Sequence, residues 1–237
     1  MNDTKNITYR FVLPGGDSRE FAVVLDTATL QYVAPADRPR PPWSRLGFCR
    51  CWICPLDESK YEDCPIAVNI AAVARAFRTF DASRSADVTV VTDEREYRKH
   101  LPLQSGLSSL IGLIMVTSGC PIMDRLRPMA HTHLPFATPR ETTYRAVSMY
   151  LLAHYFLRKK GARPDWQLKN LVKIYSEVKT VNQGFSKRIA SVKRGETNVD
   201  SLIRLDCFAT AVTLSIVSDW WEEIEEFFRP FLEPGDD

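Results

Sequence analysis

The chain has 237 residues, with 31 Lys and Arg against 29 Asp and Glu and a formal net charge of +2. Apolar residues make up 45% and charged residues 25%, a globular balance that argues against a disordered, collagen-like or coiled-coil chain. The length suffices for one sizeable hydrophobic core.

The first ten residues are polar and lack the basic-then-apolar order of a signal peptide. The longest apolar runs, 110–116 and 207–217, fall short of the roughly 18–20 residues a membrane-spanning helix needs. These features predict a soluble, cytoplasmic protein with no membrane partner.

Residues 7–33 predict a β-hairpin. Ile7, Tyr9, Phe11 and Leu13 alternate with polar residues, Pro14, Gly15, Gly16 and Asp17 supply a turn, and Phe21, Val23 and Leu25 alternate on the return. A second turn at 26–29 leads to Leu30, Tyr32 and Val33. The connector 34–42 holds four prolines and predicts an extended linker. A cysteine-rich segment, 49–64, comes next. Pro65 then opens a helix with Ile66, Ile70, Val73, Phe77 and Phe80 on one face. Residues 86–92 predict a short strand and 105–117 a helix, closed by a turn at 118–121. From Pro139 onward the pattern is helical. Tyr144, Val147, Leu151 and Tyr155 form one stripe, and Leu168, Leu171, Tyr175 and Val178 a second. A third comprises Leu202, Leu205, Ala209, Val212 and Ile216, and 220–232 predicts a short amphipathic tail helix.

The cysteines carry the sharpest signal. Four of the six lie between 49 and 64, in a chain without the marks of a disulfide scaffold, so a metal site is the natural reading. Cys51 and Cys54 form a Cys-x2-Cys knuckle that brings two thiolates to one ion. Cys64 and Cys120 can complete a tetrahedral set. Zinc is the first candidate. The Cys-Pro pairs at 54–55, 64–65 and 120–121 make an iron–sulfur cluster the alternative. The bland reading is that these cysteines are small core residues, as Cys207 on its apolar stripe is expected to be. Cys49 is a spare.

His131 and His133 form a His-x-His pair. On an extended segment both rings share a face and offer a possible additional metal site, against the plainer reading of a polar loop pair. His154 reads as an ordinary helical imidazole and His100 as a loop residue. Glu141 and Asp206 are the carboxylates a metal pocket with these histidines would use. Asp206 sits within an apolar stripe, where Arg204 or Arg188 can neutralise it. No nucleotide-binding, zincin, di-iron or nucleophile-elbow motif is present, and no catalytic residue is assigned.

Charge is uneven. Residues 139–204 carry 14 basic and 5 acidic side chains, and residues 205–237 carry 1 and 9. The simplest outcome is an acidic tail packed near basic helices. A basic run is usually a solvated face, so nucleic acid is not expected as a partner.

Several phrases resemble an uncharacterised bacterial domain family with no assigned activity. They are C-W-I-C-P-L at 51–56, C-P-I-A-V-N-I at 64–70, L-S-S-L-I-G-L-I-M-V-T-S-G-C-P at 107–121 and H-L-P-F at 133–136, with further matches at 144–152, 174–182 and 205–209. The resemblance implies one shared architecture and a shared role for Cys51, Cys54, Cys64 and Cys120. Cys49 lies outside it.

The expectation is therefore an α+β fold, mostly helical. A single domain, 1–237, would hold a β-hairpin region and Pro-rich connector (1–48), a Cys/His metal-site segment (49–138) and a helical bundle (139–237). The expected function is a zinc-stabilised structural or regulatory module with a protein partner. The alternative is an iron–sulfur or metal-dependent redox enzyme or sensor that adds His131 and His133 to the cysteines.

Overall fold

The computed structural model describes residues 3–81, 83–191 and 222–233. The hairpin forms as β1 (Thr4–Val12) and β2 (Ser18–Asp26), paired antiparallel from Thr4↔Asp26 to Val12↔Ser18. Its turn is closed by Leu13 N–H donating to Asp17 O at 2.8 Å. Two later strands, β3 (Ser85–Thr92) and β4 (Glu96–Pro102), extend it into an antiparallel sheet of order β2-β1-β3-β4. The segment after the second turn adds only a Tyr32–Leu25 bridge. Tyr32 N–H also donates to Thr117 O.

Alternation works as side-chain geometry requires. Ile7, Tyr9, Phe11, Val23, Leu25, Val88 and Val90 fill the inner face of the sheet. β4 escapes hydrophobic patterning because it is a charged, exposed edge, E-Y-R-K-H-L-P, the composition that keeps sheet edges from pairing further. His100 is thus a strand residue, bonded across the pair to Asp87 at 3.1 Å.

Helices α1 (Pro65–Ala76) and α2 (Leu103–Thr117) contribute to the core that lines the inner face. Gly106 sets how closely α2 approaches the sheet. A Cβ there would lie 2.9 Å from Phe11 and 2.9 Å from Val88, both fully buried. Replacing Gly106 by Ala gains about 1 kcal/mol of helix propensity but overpacks the layer, a defect of about 1–3 kcal/mol. Urea denaturation is expected to show net destabilisation, and a more stable variant would contradict this packing.

After α2 the chain makes a long 3-10 segment, Met123–Ala130, unforeseen in the apolar pattern. Helix α3 (Pro139–Lys159) follows, its start fixed by a capping box between Thr138 and Glu141. This uses Glu141 locally, rather than in a metal pocket. The buried face of α3 is Thr143, Ala146, Val147, Tyr150 and His154. Tyr144 and Tyr155 of the expected stripe point to solvent. His154 anchors the 160–168 loop: its Nδ1 accepts from Asp165 N–H at 3.0 Å, while Asp165 accepts from Tyr150 at 2.9 Å.

Helix α4 (Lys169–Ala190) buries Leu171, Tyr175, Val178, Val181 and Phe185. Leu168, expected on that stripe, instead precedes the helix in a left-handed conformation. The third stripe, with Asp206, Arg204 and Cys207, lies outside the described residues. The tail forms short turns at Glu222–Glu225, Glu226–Phe228 and Arg229–Leu232. Ile224 and Phe227 share a crevice with Arg140 and Tyr144 of α3. The architecture is α+β. No helix among the described residues is long and apolar enough to cross a membrane.

Candidate functional site

Four segments carry the cysteines to one place. Residues 44–46 run antiparallel to 62–64, with Leu46 N–H on Glu62 O (2.9 Å) and Cys64 N–H on Ser44 O (2.8 Å). Between them the 51–54 knuckle is closed by Cys54 N–H donating to Cys51 O at 2.9 Å. Arg50 tightens the loop from outside by donating to the carbonyls of Cys54 and Leu56 and to Glu58. Cys64 is the N-cap of α1 and Cys120 precedes the 3-10 segment. Cys64 makes no side-chain cap hydrogen bond, but the nearby backbone N–H groups of Ile66 and Ala67 partly offset the upward push on its thiol, as those of Ile122 and Met123 do for Cys120. Such donors favour a thiolate. In the Cys64-Pro65 pair, proline takes the first helical position, where its missing N–H costs nothing.

Cys51 feels the charges of Cys64, Cys120 and Cys54, Cys120 those of Cys64 and Cys54, and Cys64 that of Cys54. Burial first, and then this mutual repulsion, pushes Cys51 up to about 11. Burial likewise pushes Cys120 up to about 11 and raises Cys64. Gly184 of α4 makes room for the knuckle, since a Cβ there would meet Cys51 Sγ at 2.7 Å. Cys49 stays apart, exposed, with its thiol 3.5 Å from Ser191 Oγ. The described residues hold no group of three or more His, Cys, Asp or Glu side chains already arranged around a common point as metal ligands.

Arg188 lies beneath this cluster and is only 1% exposed. Its guanidinium donates to Trp43 O (2.7 Å), Arg45 O (2.7 Å) and Leu46 O (3.2 Å). No carboxylate pairs with it among the described residues. The acidic groups that feel its charge are the thiols of Cys51 and Cys64. Sequence offered Arg188 only as a partner for Asp206. Its real setting depends on a contact 142–145 residues away.

The histidines do not join the cysteines. His131 sits in a helical conformation at the end of the 3-10 segment and is exposed, so the extended geometry that would align the two rings is absent. His133 turns inward. Its Nε2 is 2.6 Å from Tyr9 Oη, which is 2.8 Å from Ser109 Oγ. Ser109 accepts from Phe136 N–H at 3.4 Å. Ser109 can then donate to Tyr9, and Tyr9 to His133 Nε2, which leaves the imidazole proton on Nδ1.

His133 lines a partly open cavity of about 550 Å³ bordered by β4, α2, the 3-10 segment, the 133–137 loop, α3 and α4. Leu113, Val116, Met123, Leu126 and Val178 give it an apolar wall, and Arg145, Tyr175 and His133 are among its polar lining. Phe136, on the same wall, holds a left-handed backbone (φ 60°), a strain that tends to be retained at functional positions. Nothing local in the sequence announces this cavity, because six separate segments build it.

Burial, reinforced by the Arg145 and Lys5 cations, pushes His133 down to about 3 from an ordinary value of 6.5. The unfolded chain therefore binds a proton between those values that the folded chain does not, and stability falls as pH drops through that window. The slope approaches about 1.4 kcal/mol per pH unit. Urea denaturation at pH 7, 6 and 5 should show a shallower decline in His133→Asn than in the wild type. Equal slopes would contradict the assignment.

The fold and site define an α+β protein with four neighbouring cysteines and a partly open polar–apolar cavity. The chain belongs to the family described as a domain of unknown function, DUF6901, whose model matches residues 7–229. No curated protein and no solved structure matches it.

Proposed function

We propose that this chain is a protein-interaction module whose cysteine-bearing middle is held by one zinc ion on Cys51, Cys54, Cys64 and Cys120. Arg188 carries the proposal. A buried cation without an anionic partner is strongly destabilising, and among the described residues four neutral thiols leave Arg188 in that condition. Four thiolates on Zn²⁺ carry two net negative charges, which the guanidinium partly offsets. The metal would invert the repulsion that now holds the thiols up. It would tie the knuckle, α1 and the turn after α2 together, so binding energy becomes folding energy. A cytoplasmic setting keeps such thiols reduced. The outer face of α3, with Tyr144, Leu152, Tyr155, Phe156 and Leu157 exposed, offers a protein partner an apolar surface.

An iron–sulfur cluster on the same thiols is the second reading, favoured by the backbone N–H donors at Cys64 and Cys120, which also tune cluster sulfurs. A thiol count tests the four-ligand set. In a Cys207→Ser background, a thiol reagent should find Cys49 alone in zinc-loaded protein and four more thiols after chelation. Four protected thiols that stay unreactive after chelation, or that react equally without it, would refute the site.

A further inference from the structure

We infer that the cavity between α2 and α4 binds an aliphatic monocarboxylate of medium chain length, with its carboxylate on Arg145 and its chain along the apolar wall. The volume, about 550 Å³, lies in the range of small-molecule sites, and an apolar enclosure with a few convergent polar groups is their usual build. Arg145 is the cation in question: it uses one nitrogen on Met129 O and Thr132 O (both 2.8 Å), while its Nε is buried with no hydrogen-bond partner among the described residues. No carboxylate forms an ion pair with it among the described residues. An unspent guanidinium donor in a partly desolvated setting matches a carboxylate better than any neutral head group.

Two further residues add to that polar lining. Among the described residues Tyr175 Oη has only the weak Met129 Sδ contact at 3.8 Å, which a better acceptor can replace. The Ser109–Tyr9–His133 chain places a proton on His133 Nδ1, a second neutral donor. A cationic ligand would be repelled by the Arg145 guanidinium. On the apolar wall, Leu113, Val116, Leu126 and Val178 accept a hydrocarbon chain. Methionine on the same wall adapts to its shape.

The test is calorimetric titration of the full chain as purified with decanoate, using acetate as the head group alone and 1-octanol as the tail alone. One decanoate per chain is expected, with acetate and octanol each at least tenfold weaker. Tyr175→Phe should weaken decanoate about fivefold, and Arg145→Gln by fiftyfold or more. If Arg145→Gln does not fold, Leu113→Trp, which fills the wall and leaves the polar groups in place, should abolish binding. Absence of saturable decanoate binding to the wild type, octanol binding as tight as decanoate, or unchanged affinity in both Tyr175→Phe and Leu113→Trp would overturn the inference.

Discussion

Replacing Arg188 by Leu is expected to destabilise the protein by about 3–5 kcal/mol, as for a buried charge network deprived of one partner. Three effects add. The carbonyls of Trp43, Arg45 and Leu46 lose the donor that satisfies them, and a buried acceptor left unmade costs about 1–3 kcal/mol. The 43–46 segment loses its tie to α4. Cys51 and Cys64 lose a cation whose charge they feel. Arg188→Lys should recover only part of the loss, because a single ammonium cannot span three carbonyls as the planar guanidinium does. Urea unfolding measures both variants. A change below about 1 kcal/mol for Arg188→Leu, the scale of an ordinary surface substitution, would mean that the carbonyls find other donors.

Replacing Cys64 by Ser should lower the melting temperature of zinc-loaded protein by about 10 °C, the shift that about 3–4 kcal/mol produces in a chain of this size. Cys64 joins two structures, since it caps α1 and ends the 62–64 strand that pairs with 44–46. Losing it should also abolish the response to chelation. A chelator should lower the melting temperature of the wild type and leave Cys64→Ser unmoved. Cys49→Ser should behave as the wild type in both respects, because Cys49 is exposed and outside the cluster. Equal chelator sensitivity in wild type and Cys64→Ser would remove Cys64 from the ligand set.

What could be read from the sequence follows the range of the forces involved. The β1–β2 hairpin, β3, α1 and α2 follow from local periodicity and turn chemistry; Ile7, Tyr9 and Phe11 of β1, Leu13 just after it, and Ile66, Ile70 and Val73 of α1 face inward as the pattern names them, while α1 ends at Ala76, short of Phe80. β4 was hidden because an exposed edge carries no apolar alternation. The buried face of α3 is legible only in part: Val147 and Leu151 of the expected stripe pack inward, but Tyr144 and Tyr155 are exposed and Thr143, Ala146 and His154 take their places. For the candidate site, the four cysteines stood out by spacing alone. The environment that gives them meaning did not: Arg188 reaches back across the chain, and Gly184 is an unremarkable helical glycine until Cys51 is placed against it. His133 drew notice as half of a His-x-His pair, yet its partner is Tyr9, 124 residues away. The cavity has no sequence signature because each wall residue is an ordinary apolar or polar side chain of a different element.

Elemental analysis with an absorption spectrum, on protein purified anaerobically, tests the four-thiolate site most directly. One zinc per chain and no visible band is the result predicted. Iron with sulfide and a visible band would contradict zinc and move these thiols to a cluster. Protein that carries neither metal, and gains no stability when titrated with zinc, would contradict the site altogether.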